Sequence, residues 1–143
     1  MSNEPLCLEN QVCFSLYSAA NAMVRAYRPV LDALDLTYPQ YLAMLVLWQH
    51  KGISVKALGE RLHLDSGTLT PLLKRLESKG LLLRGRSEQD ERVRVLTLTD
   101  AGLALQARAV DVPEQMLCRS AMPREELQQL KSLCDTLWQQ LER

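Results

Sequence analysis

Two short helical patterns joined by a tight turn, between residues 54 and 80, restrict the folds open to this chain more than any other feature. Ser54 has the character of a helix cap and precedes VKALGERL, and Asp65 holds the same place before SGTLTPLLKRLESKG, which Gly80 closes. The second helix is rich in hydroxyl and basic side chains. This order of short helices is typical of a helix-turn-helix.

After this segment the pattern changes from a helical to a strand period. LLLRGR and RVRVLTL flank the polar tip SEQDE, and charged and apolar side chains alternate from Arg92 to Leu96. This alternation predicts a hairpin with one face in water. A helix-turn-helix followed by a hairpin indicates a winged helix-turn-helix, so we expect a mainly α fold with a small β-hairpin wing, in the α+β class.

Helical periods lie on both sides of this segment. Apolar side chains recur at spacings of three and four up to residue 34, and Pro29 predicts a kink or break within that helix. Thr37 has the character of a cap for a second helix. From residue 111 to 123 the period pauses, which predicts an irregular segment. It resumes from Leu127 to Leu141 in a strict three-four alternation, typical of a seam that packs on another helix.

The composition excludes several classes of protein. At 143 residues, with 47% hydrophobic and 24% charged side chains, the chain has the size and make-up of one compact globular protomer. It has no signal-peptide pattern and no apolar run near the roughly 18 residues of a spanning helix, so we expect a cytoplasmic protein with no membrane partner. The formal net charge is zero, so a nucleic acid would have to be held by a local patch.

A basic patch lies between Lys74 and Arg94. Seven basic minus four acidic side chains give this segment a charge of +3, and the rest of the chain carries −3. Charge alone would favour a solvated surface, but hydroxyls on a recognition helix can meet bases or phosphates, and arginines on a hairpin can enter a minor groove. The candidate DNA-binding residues are Ser66, Thr68, Thr70, Lys74, Arg75, Arg84, Arg86, Arg92 and Arg94.

The segments LDSGTLTPLLKRLESKGLLLR and DERVRVLTLTDAG closely resemble the MarR family of dimeric winged-helix transcription regulators. Asp90 and Arg92 match a D-x-R element of that family's wing, where the acid steadies an arginine at the minor groove, which adds Asp90 to the DNA-binding candidates. The family implies a homodimer, with dimerisation helices in residues 1–36 and 100–143 and the DNA-binding domain in 37–99. Two-fold symmetry implies a pseudo-palindromic double-stranded operator.

Within that family, NQVCFSLYSAANAMVRAYRPVLDALDLTYPQY looks like the organic-hydroperoxide-sensing branch, usually called OhrR. The resemblance implies that Cys13 is the peroxide-reactive thiol, that Tyr27 and Tyr38 hydrogen-bond it across the dimer interface, and that Tyr17 belongs to the same environment. A thiol reacts with peroxide as its thiolate, which a helix N-terminus and phenolic donors can stabilise. Taken without the resemblance, Cys13 is as readily interpreted as a buried structural thiol.

The three other cysteines differ in their interpretation. Cys118 occupies the place of the resolving cysteine in the two-cysteine subgroup of this branch, which implies a disulfide with Cys13 of the other chain; an incidental thiol in the irregular segment is the alternative. Cys134 falls on the apolar seam and is interpreted as a core residue. Cys7 precedes the first helix and is interpreted as an exposed bystander. No cysteine or histidine pair has metal-ligand spacing, so we expect neither a metal nor another cofactor.

The sequence therefore predicts a DNA-binding transcriptional repressor, not an enzyme, that senses organic hydroperoxides through oxidation of Cys13 and an intersubunit disulfide with Cys118, and then releases operator DNA. Two alternatives stay open. One is a MarR-type repressor released by a small phenolic or aromatic ligand bound in the dimer cleft, with Cys13 incidental. The other is a thiol peroxidase that uses both cysteines for turnover, against which the recognition helix and the wing argue.

Overall fold

A computed structural model describes residues 3–142. The elements are the α-helices α1 (Val12–Asp32), α2 (Tyr38–Gln49), α3 (Val55–Leu62), α4 (Ser66–Ser78), α5 (Asp100–Ala109), α6 (Val112–Ser120) and α7 (Arg124–Leu141), and the strands β1 (Leu82–Arg86) and β2 (Arg94–Leu98). Two turns of 3-10 helix, Glu4–Leu6 and Leu8–Asn10, precede α1. The chain divides into two compact units, one that reaches to Val110 and one that begins at Asp111. The predicted mainly α fold with a hairpin wing is confirmed.

Side-chain caps start the central helices. The Gln40 N–H donates to Thr37 Oγ1 (3.3 Å) while the Thr37 N–H donates to Gln40 Oε1 (3.1 Å), so a reciprocal capping box opens α2. Ser54 Oγ accepts from the Ala57 N–H at α3, and Asp65 Oδ1 accepts from the Thr68 N–H at α4 (2.8 Å). Each cap satisfies backbone donors that a helix start leaves unpaired, so the predicted starts of α2, α3 and α4 are confirmed.

The wing is an antiparallel hairpin that is joined to the start of α3. Leu82 pairs with Leu98 at its base and Arg86 with Arg94 near its tip. The Leu96 N–H donates to the Ile53 carbonyl (2.9 Å), which joins the hairpin to the residue before the α3 cap. Behind the hairpin, leucines from four elements form a closed core, each at most 2% exposed: Leu58, Leu69, Leu73, Leu76, Leu82 and Leu96. This core fixes α4 relative to the wing.

Two sequence predictions are wrong, namely a break of the first helix at Pro29 and an irregular segment from residue 111 to 123, while a kink at Pro29 stays a prediction. The first helix does not break at Pro29 but continues to Asp32. Val30 and Leu31 directly after the proline are buried, and this burial outweighs the backbone hydrogen bond that proline removes.

The segment from residue 111 to 123, predicted to be irregular, contains helix α6. Pro113 lies in its first turn, where proline is well tolerated, and Val112 is 2% exposed and anchors it. Ala121, in a left-handed conformation (φ 54°), ends the helix. Nine residues are too few for a clear apolar period, so the sequence did not signal this helix. Cys118 consequently lies in a helix and not in a loop.

The terminal helices leave apolar side chains exposed within the described protomer. α7 has no buried side chain, and Leu130 is 41% exposed. Cys134, predicted to be a core residue, is only half-buried. The N-terminal half of α1 likewise exposes Val12 (72%) and Phe14 (41%). Exposed apolar stripes of this kind mark interaction surfaces. None of the helices within residues 3–142 is both long and apolar enough to span a bilayer.

Candidate redox and DNA-binding sites

The candidate sensor thiol lies at the start of α1. Cys13 is the second residue of that helix and is exposed, and Tyr17 follows one helical turn later, 68% exposed. Backbone N–H groups in a first turn have no intrahelical acceptor and carry a partial positive charge. The first turn of α1 therefore presents unpaired hydrogen-bond donors beside Cys13.

Three phenols pack together where α1 meets α2. The ring centroid of Tyr27 lies 4.8 Å from that of Tyr38 and 5.7 Å from that of Tyr41. Burial, followed by the neighbouring Tyr38 and Tyr41, raises the pKa of Tyr27 to about 12, and burial also raises the pKa of each of the other two. All three phenols thus keep their protons at neutral pH and remain hydrogen-bond donors. The sequence analysis missed Tyr41; its spacing of three from Tyr38 on one helix was the available signal.

One protomer does not bring the thiol to the phenols. Tyr27 follows Cys13 by fourteen residues on the same helix, which at 1.5 Å per residue separates them by about 21 Å along the axis. Cys118 belongs to the second compact unit, where it is exposed near the end of α6, and Cys7 is exposed as predicted. Within residues 3–142 all four cysteines are free thiols, and no three potential ligands cluster as a metal site would require.

The recognition helix α4 has one buried and one open face. Its buried face consists of Leu69, Leu72, Leu73 and Leu76. Ser66, Thr68, Lys74 and Arg75 are exposed and Thr70 is half-buried, so the predicted DNA-binding side chains of this helix lie away from the core. The Asp65 carboxylate accepts hydrogen bonds from backbone N–H groups, chiefly that of Thr68, and these bonds lower the pKa of Asp65. They also hold the start of the helix in place.

In the wing, Asp90 holds the side chain of Arg92 in place. The Arg92 guanidinium donates to both carboxylate oxygens of Asp90 (3.2 and 3.3 Å) while its side chain stays 90% exposed. These hydrogen bonds lower the pKa of Asp90, so the pair is charged at neutral pH. Arg86 and Arg94, which face each other across the hairpin, are also exposed. The wing therefore presents three basic side chains to solvent.

Arg84 differs from the other candidates. Its guanidinium donates to Glu77 Oε1 of α4 (3.1 and 3.3 Å), and these bonds lower the pKa of Glu77. The first strand of the wing is thereby tied to the recognition helix. The DNA-binding role of Arg84 stays a prediction, as it does for the other candidates, but its guanidinium is less exposed than that of Arg92 and is bound to the recognition helix.

The comparisons with known proteins agree with this geometry. The family model described as transcriptional regulator SarA/Rot matches residues 25–107. The organic hydroperoxide resistance transcriptional regulator of Bacillus subtilis (strain 168) is 52% identical over 134 residues, which cover 94% of this chain and 91% of that protein.

Two solved structures of AbfR are also similar to this chain. Reduced AbfR bound to DNA is 37% identical, with a TM-score of 0.80 and coverage of 99% of this chain and 97% of that chain; AbfR is a protein of Staphylococcus epidermidis. Disulfide-formed AbfR is 36% identical, with coverage of 97% and 92%, but has a TM-score of only 0.62.

Proposed function

The chain belongs to the MarR family of winged-helix transcriptional regulators, and on that basis we propose that it is a cytoplasmic, homodimeric repressor that releases operator DNA when an organic hydroperoxide oxidises Cys13. One observation carries this proposal: an exposed thiol in the first turn of α1 lies about 21 Å along that helix from a cluster of protonated phenols. A second copy of the chain is the simplest way to bring the two together.

Two-fold pairing of α1 supplies that contact. If the α1 helices of two protomers cross antiparallel, Cys13 of one lies opposite the partner's Tyr27, and the reverse holds by symmetry. The midpoint between these residues falls within positions 18–22, SAANA, whose small side chains allow close helix approach. The exposed apolar stripes of α1 and α7 supply buried area for the same dimer. We therefore assign residues 1–36 and 100–143 to dimerisation and 37–99 to DNA binding.

Oxidation of Cys13 and formation of the disulfide need only the two thiols and the hydroperoxide. The Cys13 thiolate attacks the terminal oxygen of ROOH, the O–O bond breaks, and the RO⁻ leaving group takes a proton to become an alcohol, which leaves a sulfenic acid on Cys13. The thiol of the partner's Cys118 then attacks that sulfur; an S–S bond forms and water leaves. Phenolic donors from Tyr27 and Tyr38 would stabilise the thiolate, with Tyr17 nearby.

DNA release follows from a change in the spacing of the two reading heads. α4 and the wing, with Arg92 held by Asp90, would contact a pseudo-palindromic duplex at half-sites about one helical turn apart. An oxidised dimer that disfavours this spacing by about 3 kcal/mol would bind about a hundredfold more weakly.

The decisive experiment is fluorescence anisotropy of labelled DNA from the chain's own promoter. Reduced wild type and Cys13→Ser are bound and then titrated with cumene hydroperoxide. We expect wild type to dissociate and Cys13→Ser to stay bound, and Cys118→Ser to dissociate only partly or reversibly. Release of both wild type and Cys13→Ser, or of neither, would overturn the proposal and favour a phenolic or aromatic ligand in the dimer cleft.

A peroxide-consumption assay separates the regulator from a peroxidase. A switch consumes about one hydroperoxide per Cys13 and then stops, because its disulfide is the final product until a separate reductant acts. With dithiothreitol present, a thiol peroxidase would continue to consume hydroperoxide. Dithiothreitol would be oxidised at the same rate. Sustained turnover by wild type that is lost in Cys118→Ser would contradict a purely regulatory role.

A further inference from the structure

The end of the recognition helix is bound to the junction between α1 and α2. Lys79, the residue directly after α4, donates from Nζ to the side-chain Oε1 of Gln40 (2.9 Å) and to the backbone carbonyl of Asp35, and lies 3.8 Å from the Asp35 carboxylate. These contacts join residues 39 and 44 positions apart in the sequence.

Gln40 connects this contact to the phenol cluster. It is only 3% exposed, and its Oε1 accepts both from Lys79 and from the backbone N–H of Thr37. Thr37 is followed directly by Tyr38, whose ring packs 4.8 Å from that of Tyr27. A buried carbonyl oxygen shared between two donors holds both in place, because moving either leaves it less well satisfied. The backbone next to Tyr38 and the residue at the end of α4 therefore share one acceptor atom.

The junction itself is held in a sparsely populated backbone conformation. Asp35 has a φ of 55°, in the left-handed region that non-glycine residues seldom adopt. Such residues persist where surrounding contacts over-determine them, and they cluster at switch regions. Here Lys79 binds the Asp35 carbonyl, and from α5 the Arg108 guanidinium donates to the Ala33 carbonyl (2.6 Å). Loss of one contact would free the junction to relax.

We infer that Lys79 is a positioning residue that couples the phenol cluster to the recognition helix, so that displacement of Tyr38 moves the end of α4. This inference rests on the proposed function, in which oxidation of Cys13 removes a thiolate from the phenols. Displaced phenols shift the start of α2, Gln40 shifts with it, and Lys79 carries the shift to α4. Contacts of Lys79 are needed for transmission, whereas neither peroxide chemistry nor DNA contact uses this side chain.

The test compares operator affinity of the reduced and oxidised forms. Lys79→Met keeps most of the unbranched aliphatic side chain, one atom shorter than lysine, and removes its donors, while Gln40 Oε1 keeps the Thr37 N–H, so the fold should survive. We expect Cys13 in this variant to be oxidised at the wild-type rate, while the ratio of oxidised to reduced dissociation constants falls about tenfold. Lys79→Arg, which keeps the donors, should restore most of that ratio.

Two further variants keep the test decisive. Lys51→Met removes an exposed lysine from the turn after α2 and should leave the ratio unchanged. Lys79→Gln stays polar but is one bond too short to reach Gln40, and it replaces Lys79→Met should that variant unfold, as judged by circular dichroism. Both Lys79 variants are expected to lower the ratio.

The outcomes separate this inference from the function on which it rests. If wild type is released by hydroperoxide and the Lys79 variants show the wild-type ratio, the coupling role is wrong and the proposed function stands. If the reduced and oxidised forms of these variants weaken equally, Lys79 is only structural, and the inference is likewise overturned. If wild type is not released at all, both proposals fall together.

Discussion

The winged-helix segment and the terminal helices differ in how their helix starts are capped and in how far their apolar side chains are buried. From α2 to α5 every helix starts with a side-chain cap, and leucines of α3, α4 and the hairpin are closed into a core. α1, α6 and α7 have no side-chain cap, and α7 buries no side chain within the described protomer. The winged-helix segment is therefore closed within one chain, whereas the proposed sensor needs a second.

The largest expected effect contrasts the two kinds of leucine. Leu76 is 0% exposed, and Leu76→Ala should lower the free energy of unfolding by about 2–5 kcal/mol, because it leaves a cavity in a closed core. Leu130, 41% exposed on the seam of α7, should instead affect dimerisation, and Leu130→Ala should raise the dimer dissociation constant about tenfold. Urea unfolding and sedimentation velocity over a range of protein concentrations measure the two effects.

An unchanged dissociation constant for Leu130→Ala would break the comparison, since α7 would then not form the interface. The same conclusion would follow if Leu76→Ala dissociated the dimer as strongly as Leu130→Ala, because the core and the seam would not be separable. If Leu76→Ala changes only the unfolding free energy and Leu130→Ala only the dimer dissociation constant, then different leucines stabilise the winged helix and the dimer.

The same contrast explains what the sequence could predict. Thr37, Ser54 and Asp65 act through backbone groups three residues away, so their roles are local and visible in the chain. Helix α6 lacks such a cap and is short, and its local signal was correspondingly weak. At Pro29 tertiary burial decided against the local rule.

The candidate site was predictable only as far as its residue types. The resemblance pointed to Cys13, Tyr27 and Tyr38, and the protomer packs the two tyrosines together. Tyr41 joins them, and Lys79 reaches Gln40 across 39 positions, through contacts that no spacing in the sequence encodes. The proposed contact of the thiol with the phenols would need a second chain, and only the resemblance, not a spacing within the chain, points to it.

The next effect tests the wing. Arg92→Ala should weaken operator binding by about tenfold or more, because its guanidinium is exposed and held for contact by Asp90. Arg124→Ala is the matched control: it breaks another exposed arginine–carboxylate pair, with Glu114 (2.8 Å), in the terminal helices. Anisotropy titrations at fixed salt measure both. Equal losses in the two variants would mean that any exposed arginine contributes, and the wing would lose its special role.

A smaller effect tests the caps. Ser54→Ala should cost about 1 kcal/mol of unfolding free energy, because the Ala57 N–H loses its acceptor at the start of α3. Ser78→Ala removes a serine that ends α4 and caps no helix start, so its effect should stay within about 0.5 kcal/mol. Thermal and urea unfolding provide the values. Similar costs for both serines would argue against caps as the source of stability in the winged helix.

The last effect concerns Tyr27, whose ring already packs against Tyr38 and Tyr41 within a single protomer. Its pKa is about 12 in the folded protein and about 10 in an unfolded chain. Below pH about 10 both states hold the proton and the contribution to stability is fully present; above it the unfolded state loses its proton first, so stability falls until the folded pKa is passed. Tyr27→Phe should therefore flatten the loss of stability between pH about 10 and about 12, measured by urea unfolding.

Tyr17→Phe, which removes a phenol outside the cluster, is the matched control for that measurement. A slope that Tyr27→Phe leaves unchanged would mean that the phenol is not preorganised in the folded chain. The sensor would then be assembled entirely at the dimer interface, and the division between a complete reader and an incomplete sensor would become sharper. A flatter pH dependence of the unfolding free energy would mean that part of the proposed sensor forms within the protomer. The Tyr27 phenol would then keep its proton in a single chain and could donate to a thiolate of a second chain.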